Sequence, residues 1–154
     1  MLNNDYKEML ECLLEEKVKF LLVGAYAVAV HGFPRATKDI DFLVWATPEN
    51  ASSLMKALAK FGAPLDKISE SDFSSTGVVF QIGNSPRRID IMTSASGVDF
   101  EKAYGNKQIV ILEGLEVPVI SLQDLIVNKR ASGRTQDLAD VEKLTSAQER
   151  KEPE

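Results

Sequence analysis

Residues 19–44, KFLLVGAYAVAVHGFPRATKDIDFLV, constrain the fold more than any other stretch of the chain. Lys19 to Val23 is an apolar run that stops at Gly24, a residue able to turn tightly and to let another group approach the backbone. Ala25 to Val30 is compatible with a short helix, so Gly24 and Ala25 fall where free backbone N–H groups favour an anion. His31 to Lys38 reads as a basic loop carrying Arg35, Thr37 and Lys38, and Asp39 to Val44 reads as a second strand. The order strand, glycine turn, helix, loop, strand already requires a sheet with at least one helix packed on it.

Side chains alternate along a strand, so Asp39 and Asp41 project from one face while Ile40 and Phe42 project from the other. Two carboxylates then lie about 6 to 7 Å apart along one strand face, within reach of a shared hard cation. Like charges this close raise one carboxylate pKa unless a divalent cation or a Lys or Arg neutralises them. A bare Asp-x-Asp also describes two solvated strand residues in local ion pairs, and short patterns recur by chance. What tips the balance is a third acidic residue in a similar setting. Asp90 lies inside the apolar strand pattern Arg87 to Met92, where Arg88, Asp90 and Met92 share one face and Arg87, Ile89 and Ile91 the other.

Around these stretches the chain reads as alternating helices and strands. Leu2, Tyr6, Met9, Leu10, Leu13 and Leu14 recur at helical spacing over residues 2–16, with Cys12 off that stripe. Thr47 and Pro48 open a helix running to Phe61, which Gly62 stops. Residues 63–76 read as a loop holding at most a short helical turn. Gly77 to Gly83 and Arg87 to Met92 make a hairpin across Asn84-Ser85-Pro86. Val98 to Tyr104 suggests a short helix, and Lys107 to Leu112 pairs with Leu115 to Ile120 around Glu113-Gly114. Ser121 caps a helix to about Ala131, and Arg134 to Thr145 forms a final helix through Leu138, Val141 and Leu144. Residues 1–146 are therefore expected to form one α/β (α+β) domain, a mixed β-sheet flanked by helices, followed by a polar, frayed tail over residues 147–154.

Composition narrows the partners. At 154 residues, with 44% hydrophobic and 27% charged residues, the chain can bury a full core. A net charge of −5 argues against a surface that coats nucleic acid broadly, since such surfaces are strongly basic. The single cysteine, Cys12, leaves no intrachain disulfide and no cysteine-based zinc site. MLNNDYKEML has no basic region followed by an apolar run, and no apolar stretch reaches membrane-spanning length, so the expected location is cytoplasmic with no membrane partner.

With Gly24-Ala25, Asp39-Ile40-Asp41 and Asp90 in view, the chain resembles the nucleotidyltransferase superfamily that includes DNA polymerase beta. That pattern is hydrophobic-Gly-[Gly/Ser], a spacer, Asp-hydrophobic-Asp, then an acidic residue on a later strand. The segment VGAYAVAVHGFPRATKDIDFLV is most similar to small bacterial nucleotidyltransferases of abortive-infection and toxin–antitoxin systems, which read like VGGxAxxxHGxxRxTxDIDxxV. Lys129, Arg134, Asp137 and Asp140 add a K-x4-R-x2-D-x2-D arrangement that resembles their later segment, so the likeness spans residues 18–144. The chain departs from the pattern at Ala25, where Gly or Ser is usual.

The resemblance implies a nucleotidyltransferase-like fold and transfer of a nucleoside monophosphate from an NTP to a hydroxyl or phosphate. It implies that Asp39, Asp41 and Asp90 are both catalytic residues and ligands of Mg²⁺ or Mn²⁺. Nucleotide contacts then fall to Gly24, Ala25, Arg35, Thr37, Lys38 and Lys129. Implied partners are an NTP and, as acceptor, RNA or tRNA, or a partner toxin or antitoxin protein. A small-molecule acceptor such as an aminoglycoside is less expected, because no second domain is visible to build its pocket. The alternative is a module of the same fold that turns over weakly or not at all, with Ala25 as the sign, and that docks a toxin or antitoxin. Other residues have plainer readings. His31 reads as a helix-end cap rather than a base, Arg87 and Arg88 as solubilising arginines rather than contacts to an RNA or nucleotide phosphate, and Trp45 as core or rim packing rather than a base-stacking platform. Asp137 and Asp140 are open between the site and a solvated helix face paired with Arg134 or Lys143.

Overall fold

Asn3 accepts a hydrogen bond from the Tyr6 N–H and starts helix α1 (Asn4–Glu15), whose Met9, Leu10 and Leu13 are fully buried. The computed structural model describes residues 2–33 and 37–151. After α1 come β1 (Phe20–Val23), α2 (Gly24–Val30), β2 (Asp39–Val44), α3 (Pro48–Phe61), α4 (Glu70–Phe73), β3 (Val79–Ile82) and β4 (Arg88–Met92). The second half contains α5 (Phe100–Gly105), β5 (Gln108–Leu112), β6 (Leu115–Val119), α6 (Leu122–Ser132) and α7 (Thr135–Lys151). Local signals fix most boundaries. Thr47 caps α3 and Gly62 ends it at φ 91°, while Ser121 caps α6 and Gly133 ends it at φ 67°.

The strands form one six-stranded sheet in the order β3-β4-β2-β1-β6-β5. β1 pairs antiparallel with β2 and parallel with β6, β2 pairs parallel with β4, and the hairpins β3–β4 and β5–β6 close the two ends. The parallel β2–β4 pairing is possible because β3 starts level with the Leu43 end of β2 and, running antiparallel to β4, carries the chain back to the end where β2 begins. This is the mixed α/β architecture expected from the alternation of elements. The central strands bury Phe20, Leu21, Leu22, Ile40, Phe42 and Ile91 completely, and Phe20 meets Phe42 edge-on with ring centroids 5.5 Å apart. No helix among the described residues is long and apolar enough to cross a membrane.

One local reading holds and two change. The loop after α3 contains the expected short helical turn, α4, which Ser69 and Asp72 close with a reciprocal capping box and whose Phe73 is buried. Cys12 lies within the buried surface of α1, and burial raises its thiol pKa, the opposite of activation. The last helix continues to Lys151, because Ala147 is buried and Gln148, Glu149 and Arg150 are good helix formers. Its inward stripe is also rotated. Leu138 is 52% exposed, whereas Asp137, Asp140, Val141 and Leu144 turn inward.

Candidate active site

The parallel ladder between β2 and β4 places Asp41 beside Asp90 and Asp39 beside Arg88. Strand alternation sends Ile40, Ile89 and Ile91 into the core and turns the carboxylates of Asp39, Asp41 and Asp90 to the opposite face. One ligand oxygen from each of the three lies within 4.8 Å of the others. Two strands far apart in sequence thus deliver three carboxylates to one spot.

Arg88 occupies the middle of this cluster. Its Nη2 donates to Asp39 Oδ2 at 2.6 Å and to Asp90 Oδ2 at 3.1 Å, and its Nε donates to Asp90 Oδ1 at 2.9 Å. The reading of Arg88 as a solubilising arginine is therefore corrected, because it sits on the same strand face as Asp90 and supplies the cluster's counter-charge. These hydrogen bonds to Asp90, and the field of Asp90, push the guanidinium pKa up. Asp41 lies outside the fork. Burial, then the charges of Asp39 and Asp90, then a hydrogen bond with Asp90 raise its pKa from 3.8 to about 7, and Arg88 opposes the shift only in part.

Gly24 explains how Asp41 comes to be so enclosed. Its φ is +70°, and a Cβ built there falls 2.1 Å from Asp41 Oδ2 and 3.0 Å from Asp41 Cγ. The glycine is required twice, once for backbone conformation and once for the carboxylate lying against it. Gly24 and Ala25 border a cleft of about 550 Å³ that is also lined by the three aspartates, Arg88 and Lys129.

Across the cleft, α6 and α7 present a second charged group. Lys129 is only 6% exposed, and its Nζ lies 3.0 Å from Asp137 Oδ1 and 3.2 Å from Asp140 Oδ2. Asp137 also accepts hydrogen bonds from Ser132 Oγ and, at 2.8 Å, from Arg134 Nε. Burial pushes Asp137 up, but the hydrogen bonds from Ser132, Arg134 and Lys129 outweigh it and hold its pKa down at about 2. Asp137 and Asp140 are thus buried partners of Lys129 rather than members of a solvated face. The family resemblance put Lys129, Arg134, Asp137 and Asp140 in one motif, but the burial of Lys129, Asp137 and Asp140 follows only from the packing of α7 on α6, and Arg134 stays exposed at the rim.

Of the other expected nucleotide contacts, Thr37 and Lys38 do not line the cleft; Thr37 hydrogen-bonds Tyr26, and Lys38 is exposed. Arg35 lies outside the described residues. His31 is the C-cap of α2, with its Nε2 2.8 Å from the Ile120 carbonyl oxygen. Trp45 stacks on Phe100, which stacks on Tyr104, so it packs α5 against the end of β2. Tyr6 donates to the carbonyl oxygens of Pro86 and Arg88 and so ties α1 to the start of β4. No feature of the sequence pointed to that contact.

The donor set fits a hard divalent cation. Three carboxylates converge, burial and then the charges of the other two raise the pKa of Asp41 to about 7, and all the donor atoms are oxygen.

A model of the family described as "Nucleotidyltransferase of unknown function (DUF6036)" matches residues 1–149. No curated protein sequence matches the chain. Among solved structures, the chain is similar to a Thermotoga maritima protein described as a nucleotidyltransferase, at 22% identity and a TM-score of 0.59. That match covers 97% of this chain and 94% of the other. The antibiotic-resistance factor ANT(2'')-Ia is 15% identical with a TM-score of 0.64, over 93% of this chain and 82% of that one. The lincosamide antibiotic adenylyltransferase LnuA, solved with lincomycin bound, is 14% identical with a TM-score of 0.60, over 95% of this chain and 98% of that one. At these identities the likeness is one of fold.

Proposed function

We propose, from the premise that the chain belongs to this family of nucleotidyltransferases of unknown function, that it moves a nucleoside monophosphate from an NTP to an acceptor hydroxyl or phosphate in a Mg²⁺-dependent reaction. The observation that carries the reading is the convergence of Asp39, Asp41 and Asp90 beside Gly24 in one cleft. Bound at these carboxylates, Mg²⁺ or Mn²⁺ supplies charge neutralisation for the triphosphate and lowers the pKa of the attacking hydroxyl. The chain's own contribution is positioning. Asp39, Asp41 and Asp90 would hold the metal. Arg88 keeps the Asp39 and Asp90 carboxylates oriented, Gly24 leaves room for Asp41, and Gly24 and Ala25 give the triphosphate a close approach to the backbone. Lys129 takes its place as a positive group on the far wall, oriented by Asp137 and Asp140. Thr37 and Lys38, just before β2, would have to reach the triphosphate from outside the cleft lining, and Arg35 is kept as a proposed contact from the sequence resemblance alone.

For the acceptor, RNA or tRNA ends and a hydroxyl of a partner toxin or antitoxin protein fit the abortive-infection and toxin–antitoxin resemblance. A small-molecule hydroxyl is a second reading, and one observation favours it. LnuA aligns over 98% of its own length with this chain, so a chain of this size is enough for an antibiotic adenylyltransferase without a further domain.

Incubation with Mg²⁺ and each α-labelled NTP, with total tRNA, with lincomycin or an aminoglycoside, or alone, tests both readings. Label should move to one acceptor class, and Asp41→Ala should abolish it. No labelling in any arm, together with no thermal shift from Mg²⁺–NTP, would overturn the enzyme reading and leave the docking module.

A further inference from the structure

One edge of the sheet is built unlike the other. β5 is the terminal strand, and no strand among the described residues pairs with its outer side. Its inner face packs on the core through Val110 and Leu112, while Ile109 and Ile111 on the other face are 54% and 61% exposed. Natural sheets blunt such edges with proline, charge or a covering element, and Gln108–Leu112 contains no proline and no charged residue. The opposite edge, β3, is shorter and is flanked by Gly77 and Gly83, whose positive φ turns the chain out of the extended form at both ends.

The hydrogen-bonding polarity of β5 follows from its hairpin. Glu113 and Gly114, at φ 47° and 84°, make a two-residue turn, so Leu112 and Leu115 are the closing hydrogen-bonded pair. Counting back along the register, Gln108 and Val110 bond inward to β6. Ile109 and Ile111, opposite Pro118 and Glu116, then direct their backbone N–H and C=O groups outward.

We propose that β5 pairs antiparallel with β5 of a second copy of this chain about a two-fold axis between the two Val110 residues, joining the sheets into one. In that register each Ile109 lies opposite Ile111 of the partner subunit and exchanges both backbone hydrogen bonds with it. The four isoleucines then meet on one face. The ends match in charge as well, because Lys107 just precedes the strand and Glu113 just follows it, so each end of the pairing brings Lys107 of one copy near Glu113 of the partner subunit. The sequence Lys-Gln-Ile-Val-Ile-Leu-Glu is self-complementary in this orientation and in no other in-register pairing; a parallel arrangement sets Lys107 against Lys107. Glu113 also accepts a hydrogen bond from the Leu2 N–H through Oε2, and Lys107 donates to the Tyr104 carbonyl oxygen, so both charges are held at the strand ends. A single five-residue strand makes a small isologous interface, so the dimer dissociates on dilution.

Sedimentation of the full chain over a dilution series tests the proposal. The mass should rise from 17.0 kDa towards twice that value as concentration increases. Ile111→Lys, at an exposed position, should abolish association while leaving unchanged the far-UV spectrum and the unfolding midpoint measured at dilutions where the wild type is monomeric. It puts an ammonium diagonal to Lys107 of the partner subunit. The double substitution Ile109→Lys with Ile111→Glu sets unlike charges opposite each other in the proposed register and should restore the dimer. Val79→Lys on the other edge should leave the mass unchanged. A wild-type chain that stays at 17.0 kDa throughout overturns the proposal. So does association insensitive to Ile111→Lys, loss of association in Val79→Lys, or failure of the double substitution to rescue.

Discussion

Replacing Asp41 by Asn should stabilise the metal-free protein at alkaline pH. Burial and the neighbouring Asp39 and Asp90 raise the folded-state pKa of Asp41 from 3.8 to about 7. A group with a raised folded pKa contributes stability that is complete below its unfolded pKa and is lost as pH rises through the folded one. The window is therefore about pH 4 to pH 7. At about 1.4 kcal/mol per unit, the total cost of ionising Asp41 in the fold is on the order of 4 kcal/mol. Between about pH 5 and 8 the wild type should lose about 2–3 kcal/mol through this residue. Asn carries no charge, and its amide can donate to Asp90 much as a protonated carboxyl does. Asp137, held at about 2, works in the other direction, since its contribution is present above the ordinary carboxylate range and is lost only in stronger acid. It does not confuse the comparison. Urea unfolding of both proteins in EDTA, at several pH values from 5 to 8.5, measures the difference. The curves should diverge as pH rises, with Asp41→Asn the more stable at pH 8. Parallel curves, or a variant less stable at pH 8, would refute the crowding of charge on which the site is built.

On the proposed reading, Mg²⁺ would compete with a proton for Asp41. The Mg²⁺-induced rise in thermal midpoint should be larger at pH 8 than at pH 5.5 and should vanish in Asp41→Asn, as differential scanning fluorimetry would record. Gly24→Ala forces a Cβ to within 2.1 Å of Asp41 Oδ2 at a φ of +70°. The backbone strain of about 1–2 kcal/mol and overpacking of about 1–3 kcal/mol should both appear as lost stability in denaturant unfolding, with weakened Mg²⁺ binding. Lys129→Met leaves Asp137 and Asp140 buried without their shared cation and should cost about 3–5 kcal/mol. Asp140→Asn in the same background should recover part of that loss, read as a shift in the urea midpoint.

What the sequence by itself determined was local. Alternation along Asp39–Val44 and Arg88–Met92 assigned each side chain to a face, and Gly24, Gly62 and Gly133 marked turns that the backbone makes at positive φ. Caps at Thr47 and Ser121 set helix starts to within a residue. Such features depend on neighbours a few residues away, which is why composition and spacing reveal them. Only the tertiary structure decided which strands adjoin and in what register. Parallel pairing of β2 with β4 turned Arg88 from a surface residue into the counter-ion of Asp39 and Asp90, and the packing of α7 on α6 turned Asp137 and Asp140 into buried partners of Lys129. A pKa near 7 at Asp41 belongs to the same class of fact. It arises first from burial and then from the charges of Asp39, on the same strand, and Asp90, on another; burial and distance in space are set by the fold, and no local pattern encodes them.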